Sequence, residues 1–293
     1  MTTPIIETFQ QPVERLAQIQ RPARALLGWM EEKQAVLFQA GQRTDRSAPG
    51  YVERAELART AVAARRPDVD QADLLSDVPM DLHDHIEALR QPAGAFFDEG
   101  WSVAIADLRK VCGVQTHVFT DHTGLRTTVT DPTDLRSLAA ITLPLPTQAE
   151  LPAQFDQVRQ AWILSAANPN LRIVGNWAGP LNQGVIGLGF AVSLTPSYLQ
   201  VARFQNRFLL RDGYHRAYGF LRRGIFHVPA FFRDFGPFQD LGLPPGTLPQ
   251  SAYLGDRPPI LPDYLDDAVS ADVMLPAFQK MIVIHGMELT PIG

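Results

Sequence analysis

The fold of this chain is decided by one stretch of its sequence, Phe204-Gln-Asn-Arg-Phe-Leu-Leu-Arg-Asp-Gly-Tyr-His-Arg-Ala-Tyr-Gly-Phe-Leu-Arg-Arg-Gly-Ile-Phe-His-Val-Pro-Ala-Phe-Phe232. Apolar residues on both sides of Gln205-Asn206 predict a tight hairpin. A turn at Asp212-Gly213 precedes a short amphipathic helical pattern, which Gly224 is suited to end. Val228-Pro229 lies in the next apolar run, which is typical of a buried strand. The order strand, turn, helix, glycine, strand predicts a mixed fold of the α/β (or α+β) class.

The turn before this helix combines groups that bind anions. Gly213 allows the chain to reverse at a positive φ. The next three residues form the first helical turn, where N–H groups lack partners within the helix and the helix dipole is positive. The predicted phosphate-binding residues are Gly213, Tyr214, His215, Arg216 and the neighbouring Arg211. The predicted catalytic residues are His215, as a proton donor, and Asp212, as an adjacent carboxylate.

This segment resembles the ParB/sulfiredoxin-like superfamily. Members of that superfamily show an apolar strand, a glycine-x-His-Arg or glycine-Glu-Arg-Arg box, a helix with alanine and leucine, a glycine, and a strand opening with Val-Pro. Here the box is Gly213-Tyr-His-Arg216, and residues 207–229 carry the match. Weaker similarity reaches back to residues 103–108 and 114–116, which leaves a long insertion before the box.

The resemblance implies a function at the box. Known members bind nucleotides there: partition proteins bind CTP, sulfiredoxins use ATP, and a third group phosphorylates free serine. The resemblance therefore implies that Gly213, His215 and Arg216 line a phosphate site for ATP or CTP with Mg²⁺. Phosphoryl transfer or nucleotide hydrolysis would be the reaction, if the protein is an enzyme.

Departures from the family pattern narrow this expectation. Tyr214 stands where sulfiredoxins carry their reactive cysteine, so sulfinic acid reduction is not expected. A proline-rich segment follows the box where partition proteins have a helix-turn-helix domain. A kinase needs a carboxylate base, for which Asp212 and Asp121 are candidates. The alternative is a non-enzymatic protein that senses a nucleotide or binds a partner, in which the box is a structural turn.

Composition limits the partners and the cellular location that we expect for this protein. The chain has 293 residues and a formal net charge of −5, which excludes a broadly basic surface for nucleic acid. Contact with DNA is therefore a less favoured alternative, and it would use the arginines at 203, 207, 211, 222, 223 and 233. One cysteine, Cys112, cannot form an internal disulfide and is expected to be a buried apolar residue. With no signal peptide and no long apolar run, we expect a cytoplasmic protein that does not enter membranes.

Changes of pattern predict three regions. Residues 1–95 are predicted as a helical N-terminal region, and residues 96–235 as the ParB/sulfiredoxin-like domain with its insertion. Residues 236–293 are predicted as a proline-rich arm and a C-terminal element. The glycine-rich residues 184–190 lack the order of a dinucleotide fingerprint and are interpreted as a strand with a close backbone approach. We predict no metal site from the histidine spacing.

Overall fold

The computed structural model describes residues 20–41, 49–67, 69–121, 123–129, 131–146, 153–158, 160–166, 171–194, 196–244, 246–276 and 280–285. Its α-helices are α1 (Glu32–Ala40), α2 (Pro49–Ala63), α3 (His83–Leu89), α4 (Gly94–Asp98), α5 (Thr123–Arg126), α6 (Leu135–Thr142), α7 (Tyr214–Arg222) and α8 (Gln250–Tyr253). Its strands are β1 (Gln20–Ala25), β2 (Leu75–Ser76), β3 (Ser102–Asp107), β4 (His117–Phe119), β5 (Ala153–Asp156), β6 (Ala161–Ala166), β7 (Leu171–Asn182), β8 (Val185–Leu194), β9 (Gln200–Phe204), β10 (Arg207–Asp212), β11 (His227–Asp234), β12 (Ala271–Pro276) and β13 (Lys280–His285). Helices and several sheets make this a mixed α/β protein of the α+β kind, as the sequence predicts.

The chain divides into two compact units. The larger unit comprises Ile19–Leu145 and Ser197–Pro276, and the smaller unit comprises Met1–Gln18, Pro146–Pro196 and Ala277–Gly293. The smaller unit thus includes residues 146–196 of the long insertion that the sequence places before the box. The three regions predicted from the sequence, with boundaries after residues 95 and 235, stay predictions.

The larger unit is built around a five-stranded sheet in the order β10-β9-β11-β3-β2. β9 and β10 form an antiparallel hairpin, and β11 returns parallel to β9 after α7. Gln205 and Asn206 both have positive φ at the hairpin turn, which confirms the predicted tight turn. Helix α7 buries Ala217, Phe220 and Leu221 against the core of this unit. The predicted order of strand, turn, helix and strand is therefore confirmed.

The helical prediction for the N-terminal region is wrong at one segment. Residues 20–25 form β1, which lies between β12 and β4 in a three-stranded sheet. Residues 23–30 are all buried, so they carry no exposed positions that would reveal a strand or helix period. The strand partner β12 lies near the other end of the chain and supplies the deciding hydrogen bonds. Residues 1–19 lie outside the described part of the chain.

The proline-rich segment after residue 235 packs against the larger unit over the residues that the structure describes. It contributes the buried side chains of Leu248, Tyr253, Leu261 and Tyr264 to the core of the larger unit. It contains the short helix α8 and 3-10 turns at Phe238–Leu241 and Leu261–Leu265, because proline interrupts longer helices. The C-terminal element that was predicted at residues 277–284 is β13, as far as residues 280–285 describe it.

The smaller unit contains the sheets β13-β6-β5 and β7-β8. The glycine-rich residues 184–190 lie at and after the turn into strand β8, which pairs along β7. A Cβ added to Gly189 would lie 2.0 Å from Trp177 Nε1, so the Trp177 ring lies directly on the glycine backbone. The predicted strand with a close backbone approach is therefore confirmed.

Candidate functional site

The sharp turn before α7 depends on Gly213. This residue has φ 100° and ψ 15°, a left-handed conformation that favours glycine, and it precedes a nine-residue helix. The N–H of Gly213 donates to Oδ1 of Asp212 at 2.6 Å. The predicted positive φ is confirmed. The carboxylate of Asp212 occupies one of the main-chain donors that a phosphate at this turn was expected to use.

Tyr214 is a core residue. It is 3% exposed, its hydroxyl accepts from the N–H of Val114 at 2.7 Å, and it donates to the carbonyl of Leu210 at 2.5 Å. Burial raises the pKa of Tyr214 well above its usual range. The side chain of this predicted phosphate-binding residue therefore fixes the helix start to the segment at Val114.

Arg216 joins two helix ends. Its Nη1 donates to the carbonyls of Ile141, Thr142 and Ser197 at 3.0, 3.3 and 2.5 Å. Ile141 and Thr142 are the last residues of α6, where carbonyl oxygens lack helical partners and the helix dipole is negative. The guanidinium charge therefore meets the negative end of α6. The structure places Arg216 at the start of α7, as predicted, with these oxygens around it.

Ser197 connects this arginine to Asp212. Its Oγ accepts from Nη2 of Arg216 at 2.9 Å and lies 2.9 Å from Oδ2 of Asp212, to which its hydroxyl can donate. One chain of hydrogen bonds thus runs from Arg216 through Ser197 to Asp212 and on to the N–H of Gly213. We call these four residues the helix latch. Two predicted site residues, Asp212 and Arg216, belong to it, whereas Ser197 was not among the predicted residues.

His215 faces an aromatic neighbour. Its ring lies parallel to that of Phe119, with centroids 6.2 Å apart and planes 2° apart. The guanidinium of Arg21 lies 4.5 Å from the Phe119 ring centroid, and its Nε and Nη2 both bind Asp121 at 2.7 Å. The carboxylate of Asp121, considered above as a kinase base, is therefore paired with a cation.

A second histidine lies in the same neighbourhood. His117 packs between Phe38 and Phe119, with ring centroids 5.4 and 5.1 Å away, and its Nδ1 lies 3.0 Å from Thr116 Oγ1. Burial lowers the pKa of His117 to about 4. This ring is therefore neutral at physiological pH.

Arg211 lies apart from the other predicted phosphate ligands. Its Nε donates to the carbonyl of Leu241 at 2.6 Å, and its Nη1 donates to Oε1 of Gln200 at 2.7 Å. Its guanidinium also lies 5.5 Å from the ring of Trp101. Burial lowers the pKa of Arg211 from its usual value. These contacts hold Arg211 against β9 and the turn at Phe238–Leu241.

The other residues that the sequence analysis singled out are buried or form ion pairs. Cys112 is fully buried, and burial raises its pKa to about 12, as expected for an apolar role. Arg203 pairs with Asp234 and Arg233 pairs with Glu99, which reduces the cationic surface proposed for DNA.

Within the described ranges, no group of three or more His, Cys, Asp and Glu side chains is placed to hold a metal ion. No helix among the described residues is long and apolar enough to cross a bilayer.

A cavity in the larger unit holds a different set of charges. It measures about 430 Å³ and is lined by Arg65, Arg66, Val69, Asp70, Arg109, Arg257, Pro258, Ile260 and Asp263. We call it the arginine cavity. Arg65 pairs with Asp263 at 2.8 Å and with Asp266 at 3.0 Å. Arg109 binds both carboxylate oxygens of Asp107, at 2.9 and 2.7 Å.

The other two arginines of the cavity lack such partners. Nε of Arg257 donates to the main-chain carbonyl of Arg65 at 2.7 Å, which holds its guanidinium beside the Arg65–Arg66 backbone. Arg66 is exposed at the rim. Among the described residues, no carboxylate forms an ion pair with either of them. Two guanidiniums thus remain available to an anion.

Sequence reasoning missed this cavity. The pair Arg65-Arg66 directly after a helix is a weak signal, and Arg109 and Arg257 come from distant segments. Nothing in the spacing of these residues predicts that they lie close together in the fold.

Comparisons of the chain with protein families, with curated proteins and with solved structures found no match. The resemblance to the ParB/sulfiredoxin-like superfamily therefore stays a prediction that depends on residues 207–229.

Proposed function

We propose that this protein acts by binding a ligand or partner and that its Gly-x-His-Arg box is a structural turn. Its larger unit, on this proposal, is a ParB/sulfiredoxin-like domain that keeps the box without nucleotide chemistry. The observation that carries the proposal is the set of four protein oxygens around the Arg216 guanidinium. If Arg216 turned both terminal nitrogens to a phosphate, it would have to break this set, at a cost in hydrogen bonds.

Asp212 supports the same conclusion. Its carboxylate accepts from the N–H of Gly213 and lies within hydrogen-bond distance of the Ser197 hydroxyl. A phosphate placed at these donors would meet a negative charge a few ångströms away, and like charges at that distance repel. One main-chain donor at the helix start is thus satisfied by the protein's own acceptor.

A second candidate function is nucleotide binding at the start of α7, with phosphoryl transfer or hydrolysis as its reaction. The left-handed Gly213 and the placement of half-buried His215 in the first turn of a nine-residue helix favour it. In this candidate, Arg216 would leave the α6 carbonyls when ATP or CTP binds with Mg²⁺, and His215 would donate a proton.

One experiment separates the two candidates. The purified full chain is titrated calorimetrically with ATP and with CTP in the presence of Mg²⁺, and phosphate release is followed in parallel. We expect no phosphate release. We also expect that any heat of nucleotide binding is the same for the unaltered chain and for His215→Ala. Turnover that His215→Ala and Arg216→Lys both abolish, in variants that remain folded, would instead establish the enzyme. Nucleotide binding without turnover that His215→Ala removes would establish a nucleotide sensor, and the structural-turn proposal would then be wrong.

A further inference from the structure

We propose that the arginine cavity binds the phosphate group of a small molecule, at a place distinct from the start of α7. Its walls combine the two kinds of group that such a ligand needs. Guanidiniums offer paired N–H donors whose geometry matches phosphate oxygens. Val69, Pro258 and Ile260 offer apolar surface for the remainder of the molecule.

The fixed ion pairs give this cavity its shape. Arg65 and Arg109 are each held by aspartates, and each also lies over an aromatic ring, Trp29 at 5.2 Å and Phe226 at 4.7 Å. Hydrogen bonds from Arg109 lower the pKa of Asp107 although its burial opposes this shift, so this pair stays charged at neutral pH. These two arginines and their three aspartates therefore form a rigid frame, which has one more carboxylate than guanidinium groups.

The available charge comes from Arg66 and Arg257. Arg257 is oriented by the carbonyl of Arg65, so its terminal nitrogens need not be ordered afresh when a ligand binds. Asp70 also lines the cavity and opposes an anion, although its Oδ1 accepts from the N–H of Ala72. The remaining charges are thus two cations against one exposed carboxylate.

The volume sets the class of ligand. About 430 Å³ lies within the range of small-molecule sites, roughly 300–1,000 Å³, and is too small for a folded partner. A phosphate with a modest organic remainder fits both the charge and the apolar wall. Carboxylates share the same guanidinium chemistry, and the experiment must therefore distinguish the two.

The test is calorimetric titration of the full chain with sodium pyrophosphate, at low salt and again at raised salt. We expect binding that weakens as salt is added, since the contact is electrostatic. Arg66→Ala and Arg257→Ala should each lower the affinity about tenfold, as for a lost hydrogen bond to a charged group. Asp70→Asn should raise the affinity. Arg222→Ala, which removes an exposed arginine outside the cavity, is the matched control and should change nothing.

Several outcomes would overturn the proposal. The first is that the unaltered chain does not bind pyrophosphate. The second is that Arg66→Ala binds pyrophosphate as tightly as the unaltered chain does, and the third is that citrate binds more tightly than pyrophosphate. Loss of pyrophosphate binding in His215→Ala, with Arg66→Ala unaffected, would move the site to the start of α7. That last result would refute the structural-turn proposal as well, whereas the others leave it standing. Because Arg66 is exposed, its variant is expected to fold, and thermal unfolding verifies this.

Discussion

The start of α7 and the arginine cavity both place arginine beside a chain reversal, yet they use the charge in opposite ways. At α7, Arg216 is surrounded by main-chain carbonyls and a serine hydroxyl, so its charge holds two helix ends together. At the cavity, Arg66 and Arg257 have no carboxylate partner among the described residues. The residue type in a motif therefore does not say whether its charge is available. The oxygens that surround the guanidinium decide it.

The strongest test of this difference removes one arginine from each region. Arg216→Ala leaves the carbonyls of Ile141 and Ser197 without this donor in a partly buried place, whereas the carbonyl of Thr142 keeps the N–H of Leu199. We expect the free energy of unfolding to fall by about 3 kcal/mol. Arg66→Ala, the matched change at an exposed position, should alter it by less than about 0.5 kcal/mol. Urea unfolding of both variants measures this. Equal losses would show that Arg216 does not join the helix ends.

A second test uses pH, because a buried neutral histidine, His117, lies in the neighbourhood of α7, whereas the cavity is lined by ion pairs. Burial lowers the pKa of His117 to about 4 from its ordinary 6.5. The unfolded chain therefore takes up a proton at higher pH than the folded chain does. The stability that the neutral ring contributes is complete above about pH 6.5 and is lost as the pH falls towards 4, by up to about 3 kcal/mol.

The control for this prediction is a second histidine. His117→Gln removes the titrating group and should flatten the dependence of the unfolding free energy on pH in this window. His83→Gln replaces an exposed histidine on α3, and the unfolding free energy of this variant should follow that of the unaltered chain across this window. If both variants follow the unaltered chain, His117 is not the group that titrates.

Sequence reasoning predicted the local features around α7 and missed the features that depend on distant segments. The hairpin at Gln205-Asn206 and the positive φ of Gly213 follow from neighbouring residues, and both predictions are confirmed. The helical prediction fails at strand β1 because its partner β12 lies far along the chain and because residues 23–30 are all buried.

The same limit applies to the candidate sites. The partners of Arg216 come from the end of α6 and from Ser197, which no rule of spacing relates to a Gly-x-His-Arg box. The arginine cavity assembles residues from three separated segments. Whether a guanidinium is already hydrogen-bonded or is available to a ligand depends on the assembled fold. Short-range sequence patterns contain almost no information about it.

The smallest expected effect tests how tightly the start of α7 is packed, in contrast to the open cavity. A Cβ on Gly213 would lie 2.9 Å from Cγ of Leu199, and the φ of this residue is already unfavourable for alanine. Gly224 also has a positive φ, but nothing lies within 4 Å of the position of its Cβ. Gly224→Ala should therefore cost only the backbone strain, about 1 kcal/mol, and Gly213→Ala about 2 kcal/mol. Equal losses in urea unfolding would mean that Leu199 moves aside freely, in which case the start of α7 is loose enough to admit a ligand and the nucleotide-binding candidate gains over the structural turn.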